Sequence, residues 1–394
     1  MDNRRARATL AASCLIHFLH DGCSDLLYVL FPVWAHEFSL SFAQVGLLRA
    51  GYSGGLALFQ IPAGFLAERW GEARVLAAGT FLTAVGFLCL GTAGSFVPIL
   101  VFLVLGALGS GTQHPLSAAL VSRAYEAGRS RVALGTYNFS GDLGKVTWPA
   151  LVAVVTAASG WRFAVQGMGL LALVATAGTF LALTKLAGGR AGASTRPVAA
   201  PGGADWGIRH RLGFTLLSAI HAIDSCSRTV FLTYLPFLLL NKGVGMNLIG
   251  LALGLTFAGG ATGKFVCGLV SERLGIIRTV VLTEAATGLG ILLLLALPLQ
   301  AALLFLPILG VALNGTSSVL YGTVPELVVP ERRSRVYGLF YTIGIGAGAL
   351  APPLFGLLSD AAGVPVTLAV LAVVILCTLP LAHCLRSAVE PTPA

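Results

Sequence analysis

Charged residues are scarce in this sequence. Asp, Glu, Lys and Arg make up 10% of its 394 residues, and 56% of the residues are hydrophobic. A soluble globular domain is about a quarter charged. So few charges cannot cover the water-facing surface of a chain this long, which excludes a soluble enzyme, a disordered chain and a fibrous protein. The composition therefore predicts a helical protein that crosses the membrane several times.

Paired cysteines and the common catalytic or nucleotide-binding motifs are lacking as well. The seven Cys stand singly in apolar runs without a C-x-x-C pair, so neither a disulfide framework nor a zinc knuckle fits. The sequence contains no Walker A motif, and neither G-x-S-x-G nor H-E-x-x-H falls in a predicted loop. We therefore expect no enzyme activity, no cofactor and no resident metal.

Long apolar runs dominate what is present. A span needs about 20 apolar residues to cross the hydrocarbon layer. Twelve runs qualify, at roughly 10–36, 43–67, 74–93, 97–122, 132–158, 162–184, 212–240, 246–271, 278–298, 301–325, 335–359 and 364–385. The first run lacks the short apolar core and cleavage site of a signal peptide, so we expect it to be retained. A Gly/Pro/Ala-rich stretch predicts a linker, 187–211, between two six-helix bundles, 1–186 and 212–394.

The positive charges are distributed unevenly along these runs. Nineteen of the 25 Lys and Arg fall on one side of the predicted membrane, and only Arg162 and Lys242 fall on the other. The remaining four lie inside the runs: Arg49, Lys145, Arg228 and Lys264. The bias predicts a multi-pass protein of the cell inner membrane with both termini and the linker in the cytoplasm. It also explains the net charge of +9 without nucleic acid as a partner.

The two halves repeat each other at a fixed offset of 204 residues. His17 corresponds to His221 and Pro32 to Pro236, and the same offset relates Gly64-x3-Glu68-Arg69-x-Gly71-x2-Arg74 to Gly268-x3-Glu272-Arg273-x-Gly275-x2-Arg278. Six spans repeated in the same orientation predict an all-α polytopic membrane protein of two pseudo-symmetric six-helix bundles. That architecture is typical of a transporter with a central substrate site.

The repeated loop resembles the G-x-x-x-D-R-x-G-x-x-R/K signature of the major facilitator superfamily, with Glu in place of Asp. The resemblance implies the fold of that family, transport by alternating access and a monomeric protein in the bilayer. It also implies that the loops latch the two halves at the cytoplasmic face. The implied gating residues are Gly64, Glu68, Arg69, Gly71, Arg74, Gly268, Glu272, Arg273, Gly275 and Arg278.

A narrower part of the chain is similar to the fosmidomycin-resistance group of exporters. His17, Asp21, Pro32 and Glu37-Phe38-Ser39-Leu40 match that group's first span, and His114-Pro115 matches its fourth. The fifth span departs from the group, because Asp142, Lys145 and Trp148 stand where small or amide residues are usual. The cavity lining therefore differs, and the substrate does not carry over.

Ionisable residues inside the spans are the candidate functional residues, since each is costly to bury in lipid. His17 and Asp21 lie on one stripe of the first span, with His20 and Asp25 on its shoulders. A carboxylate beside a histidine can take up and release a proton near neutral pH. The candidate proton-coupling residues are Asp21, Asp25, His17 and Asp224. A buried Asp that is hydrogen-bonded for structure remains the alternative.

Other polar residues are candidates for the substrate site. These are Arg49, Tyr28, Tyr52, Gln60, His114, Asn138, Asp142, Lys145, Trp148, His221, Arg228, Lys264, Tyr321 and Tyr341. The spacings also allow internal ion pairs, Asp142 with Lys145 or Asp224 with Arg228. Alternatively, Lys145 pairs with Asp21 or Asp25 of the first span. Since the ninth span lies outside the cavity in the family resembled, Glu284 is predicted to pair with Arg278.

These residues favour a proton-coupled antiporter that exports a small polar, anionic or drug-like molecule, which would confer drug resistance. Two alternatives remain open. One is proton-coupled uptake of an organic anion. The other is a transition-metal carrier that uses His, Asp and Cys residues of the first and seventh spans, namely His17, His20, Asp21, Cys23, Asp25, His221, Asp224 and Cys226.

Overall fold

The computed structural model describes residues 3–125, 127–187 and 206–389. This part of the chain holds fifteen α-helices, two short 3-10 helices (Val324–Glu326 and Pro330–Arg332) and one isolated bridge, Ile208 to Val328. The helices before residue 206 are α1 Asn3–Asp25, α2 Leu27–Glu37, α3 Phe42–Trp70, α4 Glu72–Leu90, α5 Phe96–Ser110, α6 Gln113–Ala124, α7 Ala127–Ser159 and α8 Trp161–Ala187. Those after it are α9 Arg211–Asn241, α10 Met246–Leu274, α11 Ile276–Ala296, α12 Leu299–Thr323, α13 Arg333–Ala362, α14 Val364–Leu376 and α15 Thr378–Val389.

Three pairs of these helices are single membrane segments with a local break. The breaks are at Leu26 between α1 and α2, at Gly111 and Thr112 between α5 and α6, and at Cys377 between α14 and α15. The fifteen helices therefore form the twelve predicted segments, and the predicted all-helical membrane fold is confirmed. Ten segments are long and apolar enough to cross a membrane by length and composition. The other two are α3 and α7, whose sequences include Arg49, Asp142 and Lys145.

The chain divides into two compact units. The first contains the described residues of Met1–Leu40, Gly51–Gly202 and Met246–Leu251. The second contains those of Ser41–Ala50, Gly203–Gly245 and Ala252–Ala394. Most of the predicted linker, at 188–205, lies outside the described residues.

Equivalent close contacts occur inside the two units. In the first, Gly250 packs on α7, where a methyl group at that position would lie 2.4 Å from the carbonyl oxygen of Pro149. In the second, Gly46 packs on α13, where a methyl group would lie 2.5 Å from the backbone nitrogen of Pro353. Gly46 and Gly250, like Pro149 and Pro353, are 204 residues apart. The sequence repeat is thus also a repeat of helix packing, with glycine allowing the backbones to meet.

The polar residues of interest lie on the central helices of each unit. In the first unit α1 packs on α7 and α6, and in the second unit α9 packs on α13, α15, α14 and α12. Large apolar side chains such as Leu58, Phe65, Leu304 and Leu354 are exposed on the outside. Apolar side chains at the surface suit a lipid solvent, in which charged side chains are costly.

The repeated motif forms one-residue turns between helices. Only Gly71 separates α3 from α4, and only Gly275 separates α10 from α11. Their φ angles are +84° and +83°, a left-handed conformation that side chains other than glycine rarely adopt. These two motif glycines are therefore required by the backbone itself.

Candidate functional site

Asp21 is the centre of a buried polar cluster in the first unit. Its Oδ2 lies 3.2 Å from Nε2 of His17 and 3.3 Å from Nζ of Lys145, and its Oδ1 lies 3.5 Å from Nε2 of His114. Asp21 itself is 7% exposed. Helices α1, α6 and α7 thus bring three basic groups to one carboxylate. We call these four residues the Asp21 cluster.

Glycines on α7 allow this close approach to α1. A methyl group at Gly141 would lie 2.6 Å from Nε2 of His17 and 2.7 Å from Oδ2 of Asp21, and one at Gly144 would lie 2.2 Å from the Phe18 carbonyl oxygen. The helices are therefore in direct backbone contact beside the cluster, as small residues permit in membrane proteins.

The backbone determines where His17 carries a proton. Its Nδ1 lies 2.8 Å from the carbonyl oxygen of Tyr137, and its ring stacks on the Tyr137 ring at 4.1 Å. A carbonyl only accepts hydrogen bonds, so Nδ1 bears a hydrogen. Nε2, which carries no hydrogen in the neutral ring of that tautomer, then faces Oδ2 of Asp21 at 3.2 Å.

His20 has a different role from its neighbours on α1. Its ring nitrogens lie 2.9 Å from the Ser110 hydroxyl and 3.1 Å from the Thr80 hydroxyl, and it is 3% exposed. The Tyr52 hydroxyl lies 3.3 Å from the same Ser110 oxygen. His20 and Tyr52 thus belong to a network that joins α1, α3, α4 and α5 rather than to the Asp21 cluster.

The remaining candidates of the first unit are spread along the same helices. Asp142 lies 3.9 Å from Lys145, which is nearer to Asp21, so Lys145 pairs mainly with the first span. Trp148 donates to the Phe18 carbonyl at 3.2 Å and braces α7 against α1. The structure places the others as follows: Asp25 and Tyr28 are buried, Gln60 is partly buried and Asn138 is exposed.

The second unit carries a related but chemically different cluster on α9. His221 is 2% exposed, stacks on Phe340 at 4.2 Å and meets the Tyr321 ring edge-on at 5.1 Å. Among the described residues, neither of its ring nitrogens has a hydrogen-bond partner. Arg228 Nη1 lies 3.6 Å from Oδ2 of Asp224. His17 and His221 therefore stack on aromatic rings of equivalent helices, but only His17 faces a carboxylate.

Three further candidates lie in the second unit. Arg49 on α3 and Lys264 on α10 are partly buried, and Tyr341 on α13 is 38% exposed, with its ring 6.2 Å from that of Tyr321. Tyr341 therefore lies beside Tyr321, whose ring contacts His221.

The charged residues of the repeated motif lie at the surface. Glu68, Arg69 and Arg74 are exposed in the first unit, as are Glu272, Arg273 and Arg278 in the second. A motif residue outside the predicted set, Glu72, forms an ion pair with Arg123 at the end of α6. Gly64 and Gly268 have open space where a side chain would be. The latch implied by the resemblance stays a prediction.

Sequence reasoning missed two residues of the Asp21 region. Gln113 donates to the Tyr137 hydroxyl at 2.8 Å, so Gln113 and Tyr137 together hold the ring that supports His17. The position of Tyr137, 204 residues before Tyr341, was a signal for its importance.

The expected pair of Glu284 with Arg278 is wrong, because Glu284 is 2% exposed and contacts Thr378, whereas Arg278 is exposed. Six residues along a helix do not return to the same face.

A metal ion would find three ligand atoms in the first unit. The nearest nitrogen and oxygen atoms of His17, Asp21 and His114 all lie within 4.8 Å of one another. His17 donates its other ring hydrogen to a backbone carbonyl, as metal-bound histidines usually do. Of the predicted ligands, His20 is bonded to hydroxyl groups elsewhere. The ammonium of Lys145 occupies the same carboxylate and would compete with a cation.

The chain is similar to known membrane transporters over nearly its whole length. The family model described as Major Facilitator Superfamily matches residues 13–214 and 217–394. The fosmidomycin resistance protein of Escherichia coli (strain K12) is 25% identical over 370 residues, which cover 91% of this chain and 87% of that protein. The probable sulfoacetate transporter SauU of Cupriavidus necator is 25% identical over 384 residues, which cover 90% of this chain and 87% of that protein.

A solved structure shows the same fold. A bacterial homologue of the human lysosomal transporter Spinster, in an inward-facing and occupied conformation, superposes with a TM-score of 0.81 at 18% identity and covers 98% of each chain. The twelve segments, the repeated loop motif and the match to the family model all indicate the same family. This chain belongs to the major facilitator superfamily, and it is a membrane transporter rather than an enzyme.

Proposed function

We propose that this protein is a proton-coupled antiporter that exports a small polar or anionic, including drug-like, molecule across the cell inner membrane. The observation that carries the proposal is the 3.2 Å contact of His17 Nε2 with Oδ2 of the buried Asp21, a pair of groups that together can bind and release a proton. Both termini are in the cytoplasm, and the protein acts as a monomer by alternating access. Protonation from outside favours one conformation and substrate binding from inside favours the other, each through its differential affinity.

Partly exposed basic groups support an anionic substrate. The side chains of His114 and Lys145 are 35% and 29% exposed, although both touch a buried carboxylate. In the second unit the Arg228 side chain is 23% exposed beside Asp224. These groups are accessible to a ligand and would bind a carboxylate, sulfonate or phosphonate. The names of two relatives, a drug-resistance protein and a probable sulfoacetate transporter, are consistent with such a substrate.

The contact of Lys145 with Asp21 favours a second candidate, uptake of an organic anion with a proton. Protonation of Asp21 would release Lys145, and the freed ammonium would then bind the anion. In this case proton and substrate bind together, whereas in antiport they bind in alternation. Both candidates use the same residues, so the direction of coupled flux distinguishes them.

The three ligand atoms of the first unit favour a third candidate, transport of a divalent transition metal. Carriage by this site would use His17, Asp21 and His114 and would require Lys145 to leave the carboxylate. Calorimetric titration of the purified protein with Zn²⁺, compared with a His17→Ala, His114→Ala variant, tests this candidate. Binding that is equal in both proteins, or absent from both, would exclude it.

Flux measurements test the main proposal. Radiolabelled carboxylates, sulfonates and phosphonates that raise the thermal stability of the purified protein are selected first. We expect accumulation in everted vesicles with an acidic interior, and its loss when an ionophore collapses the pH gradient. Accumulation that continues unchanged after the collapse would exclude proton coupling. Accumulation in right-side-out vesicles with an acidic exterior would instead establish uptake.

A further inference from the structure

Gln113 is a buried amide beside the Asp21 cluster. It is 0% exposed and is the first residue of α6, directly before His114. Its Nε2 donates to the Tyr137 hydroxyl at 2.8 Å. A buried amide is costly unless it is hydrogen-bonded, so this contact resists displacement. Gln113 therefore holds the hydroxyl end of the Tyr137 ring in place.

Tyr137 contacts His17 in two ways. Its ring stacks on the imidazole, with 4.1 Å between ring centroids and 22° between planes, and its carbonyl oxygen lies 2.8 Å from Nδ1. Nε2 of the same imidazole lies 3.2 Å from Oδ2 of Asp21. One residue of α7 thus supplies both the surface on which the His17 ring rests and the acceptor for its Nδ1.

The orientation of the His17 ring depends on this support. A histidine ring can turn by about 180° around its Cβ–Cγ bond, which exchanges the positions of its nitrogen and carbon atoms. The turned ring would point carbon atoms at the Tyr137 carbonyl and at Asp21 and would lose both nitrogen contacts. Turning requires the stacked Tyr137 ring to give way, and the bond from Gln113 opposes that movement.

The sequence repeat provides an internal comparison. His221, 204 residues after His17, stacks on Phe340 at 4.2 Å. Phe340 has no hydroxyl, and the residue that corresponds to Gln113 is Ser317, whose hydroxyl donates to a carbonyl of its own helix. Among the described residues, neither ring nitrogen of His221 has a hydrogen-bond partner. Stacking therefore occurs in both units, whereas directed nitrogen contacts occur in the unit that has the amide and the phenol.

We propose that Gln113 is a positioning residue for His17. By holding the Tyr137 hydroxyl, it keeps the imidazole turned with Nδ1 towards the α7 backbone and Nε2 towards Asp21. The use of this orientation in transport rests on the proposed proton coupling. The orientation itself is a property of the first unit and is measurable without transport.

NMR of the full-length purified protein, labelled with ¹³C and ¹⁵N in histidine, tests the orientation. The His17 signal is the one that His17→Phe lacks, and its ring shifts report which nitrogen carries the hydrogen. We expect Nδ1 to carry it in the unsubstituted protein. Gln113→Leu and Tyr137→Phe should each lower the ratio of the Nδ1–H to the Nε2–H form about threefold or more, as the loss of one hydrogen bond allows. The double variant should lower it no further, because both substitutions break the same bond.

Ser117→Ala is the matched control for these variants. Ser117 lies one turn after Gln113 on α6, is 0% exposed, and its hydroxyl has no hydrogen-bond partner among the described residues. The substitution should leave the His17 shifts unchanged. Tyr137→Phe removes a single oxygen atom, so it tests the bond even if Gln113→Leu does not fold. Unchanged His17 shifts in folded Tyr137→Phe protein would overturn the proposal, as would single effects that add in the double variant.

Flux measurements separate this proposal from the proposed function. Gln113→Leu should lower pH-gradient-driven accumulation in everted vesicles several-fold, whereas Ser117→Ala should retain it. Unchanged accumulation in a Gln113→Leu protein whose His17 signal has changed would overturn the role of Gln113 in coupling. If the unsubstituted protein shows no pH-driven flux, the proposed function fails, and the NMR comparison still decides whether Gln113 orients His17.

Discussion

Nε2 of His17 lies 3.2 Å from Oδ2 of Asp21, one helical turn away, while Nδ1 of the same ring is committed to the Tyr137 carbonyl oxygen at 2.8 Å. The backbone of α7 therefore fixes which ring nitrogen of His17 carries the hydrogen of the neutral ring. The other ring nitrogen and an ionised carboxylate both accept hydrogen bonds. A proton bound between them would join the two groups as donor and acceptor, which is the basis of the proposed coupling.

Asp21→Asn is expected to reduce pH-gradient-driven flux to background, because the amide cannot exchange the shared proton. The protein should still fold, with a loss of about 1–3 kcal/mol since Lys145 loses its nearest carboxylate. Flux in vesicles and unfolding of the purified protein measure the two effects. Glu326→Gln, which removes an exposed acid outside the candidate site, is the control and should retain pH-driven flux. An active Asp21→Asn protein would transfer the coupling role to Asp25 or Asp224.

Lys145 and Asp21 should show energetic coupling in unfolding experiments. Lys145→Gln and Asp21→Asn each leave a buried partner undercompensated, whereas the double variant removes both charges. We expect the double variant to be more stable than the sum of the single effects predicts, by about 1–3 kcal/mol. Denaturant unfolding of the four proteins completes the cycle. Strict additivity would mean that the 3.3 Å contact contributes no stability.

Gly141→Ala should destabilise the first unit by about 1–3 kcal/mol, because the added methyl group overlaps His17 and Asp21. Gly135→Ala on the same helix is the control, since that position has open space. Alanine favours a helix over glycine by about 1 kcal/mol, so the control should be neutral or stabilising. Thermal unfolding in detergent compares the two. Equal effects would contradict the packing of α1 on α7.

Gly71→Ala and Gly275→Ala should each cost about 1–2 kcal/mol, because alanine is strained in the left-handed conformation. Gly64→Ala and Gly268→Ala, in the same motif copies, are the controls, as these glycines are helical and have open space. Unfolding midpoints should therefore fall only for the first pair. A fall for all four would indicate that the motif needs small residues for another reason.

His17→Phe and His221→Phe should differ although the residues are repeat partners. His17→Phe removes the contacts with Tyr137 and Asp21 and should cost about 1–3 kcal/mol. His221→Phe keeps the stacking on Phe340 and removes two ring nitrogens without partners, so its stability should change little. Substrate binding should nevertheless weaken in His221→Phe if these nitrogens contact the ligand, which a thermal-shift titration measures. A large stability loss in His221→Phe would reveal a partner for its ring.

Much of the candidate site was predictable because it follows from rules local to one helix. The stripe of His17 and Asp21 follows from the 3.6-residue period of the helix. A charged residue within an apolar membrane span is also conspicuous in the sequence, because such residues are costly to bury in lipid. The roles of His20 and Trp148 were not predictable, since they depend on which neighbour each helix face meets. The same limit explains Glu284, whose hydroxyl neighbour Thr378 comes from another helix.

Composition, hydropathy and the 204-residue repeat by themselves determined the membrane environment, the number of segments, their division into two halves and the tight turns at Gly71 and Gly275. These depend on the solvent that each stretch prefers and on local backbone geometry. Only the tertiary structure decided that Lys145 lies nearer to Asp21 than to Asp142, and that His17 has a backbone partner while the nitrogens of His221 have none. The physical reason is that the rotation and spacing of packed helices select one contact among several that the sequence spacing allows.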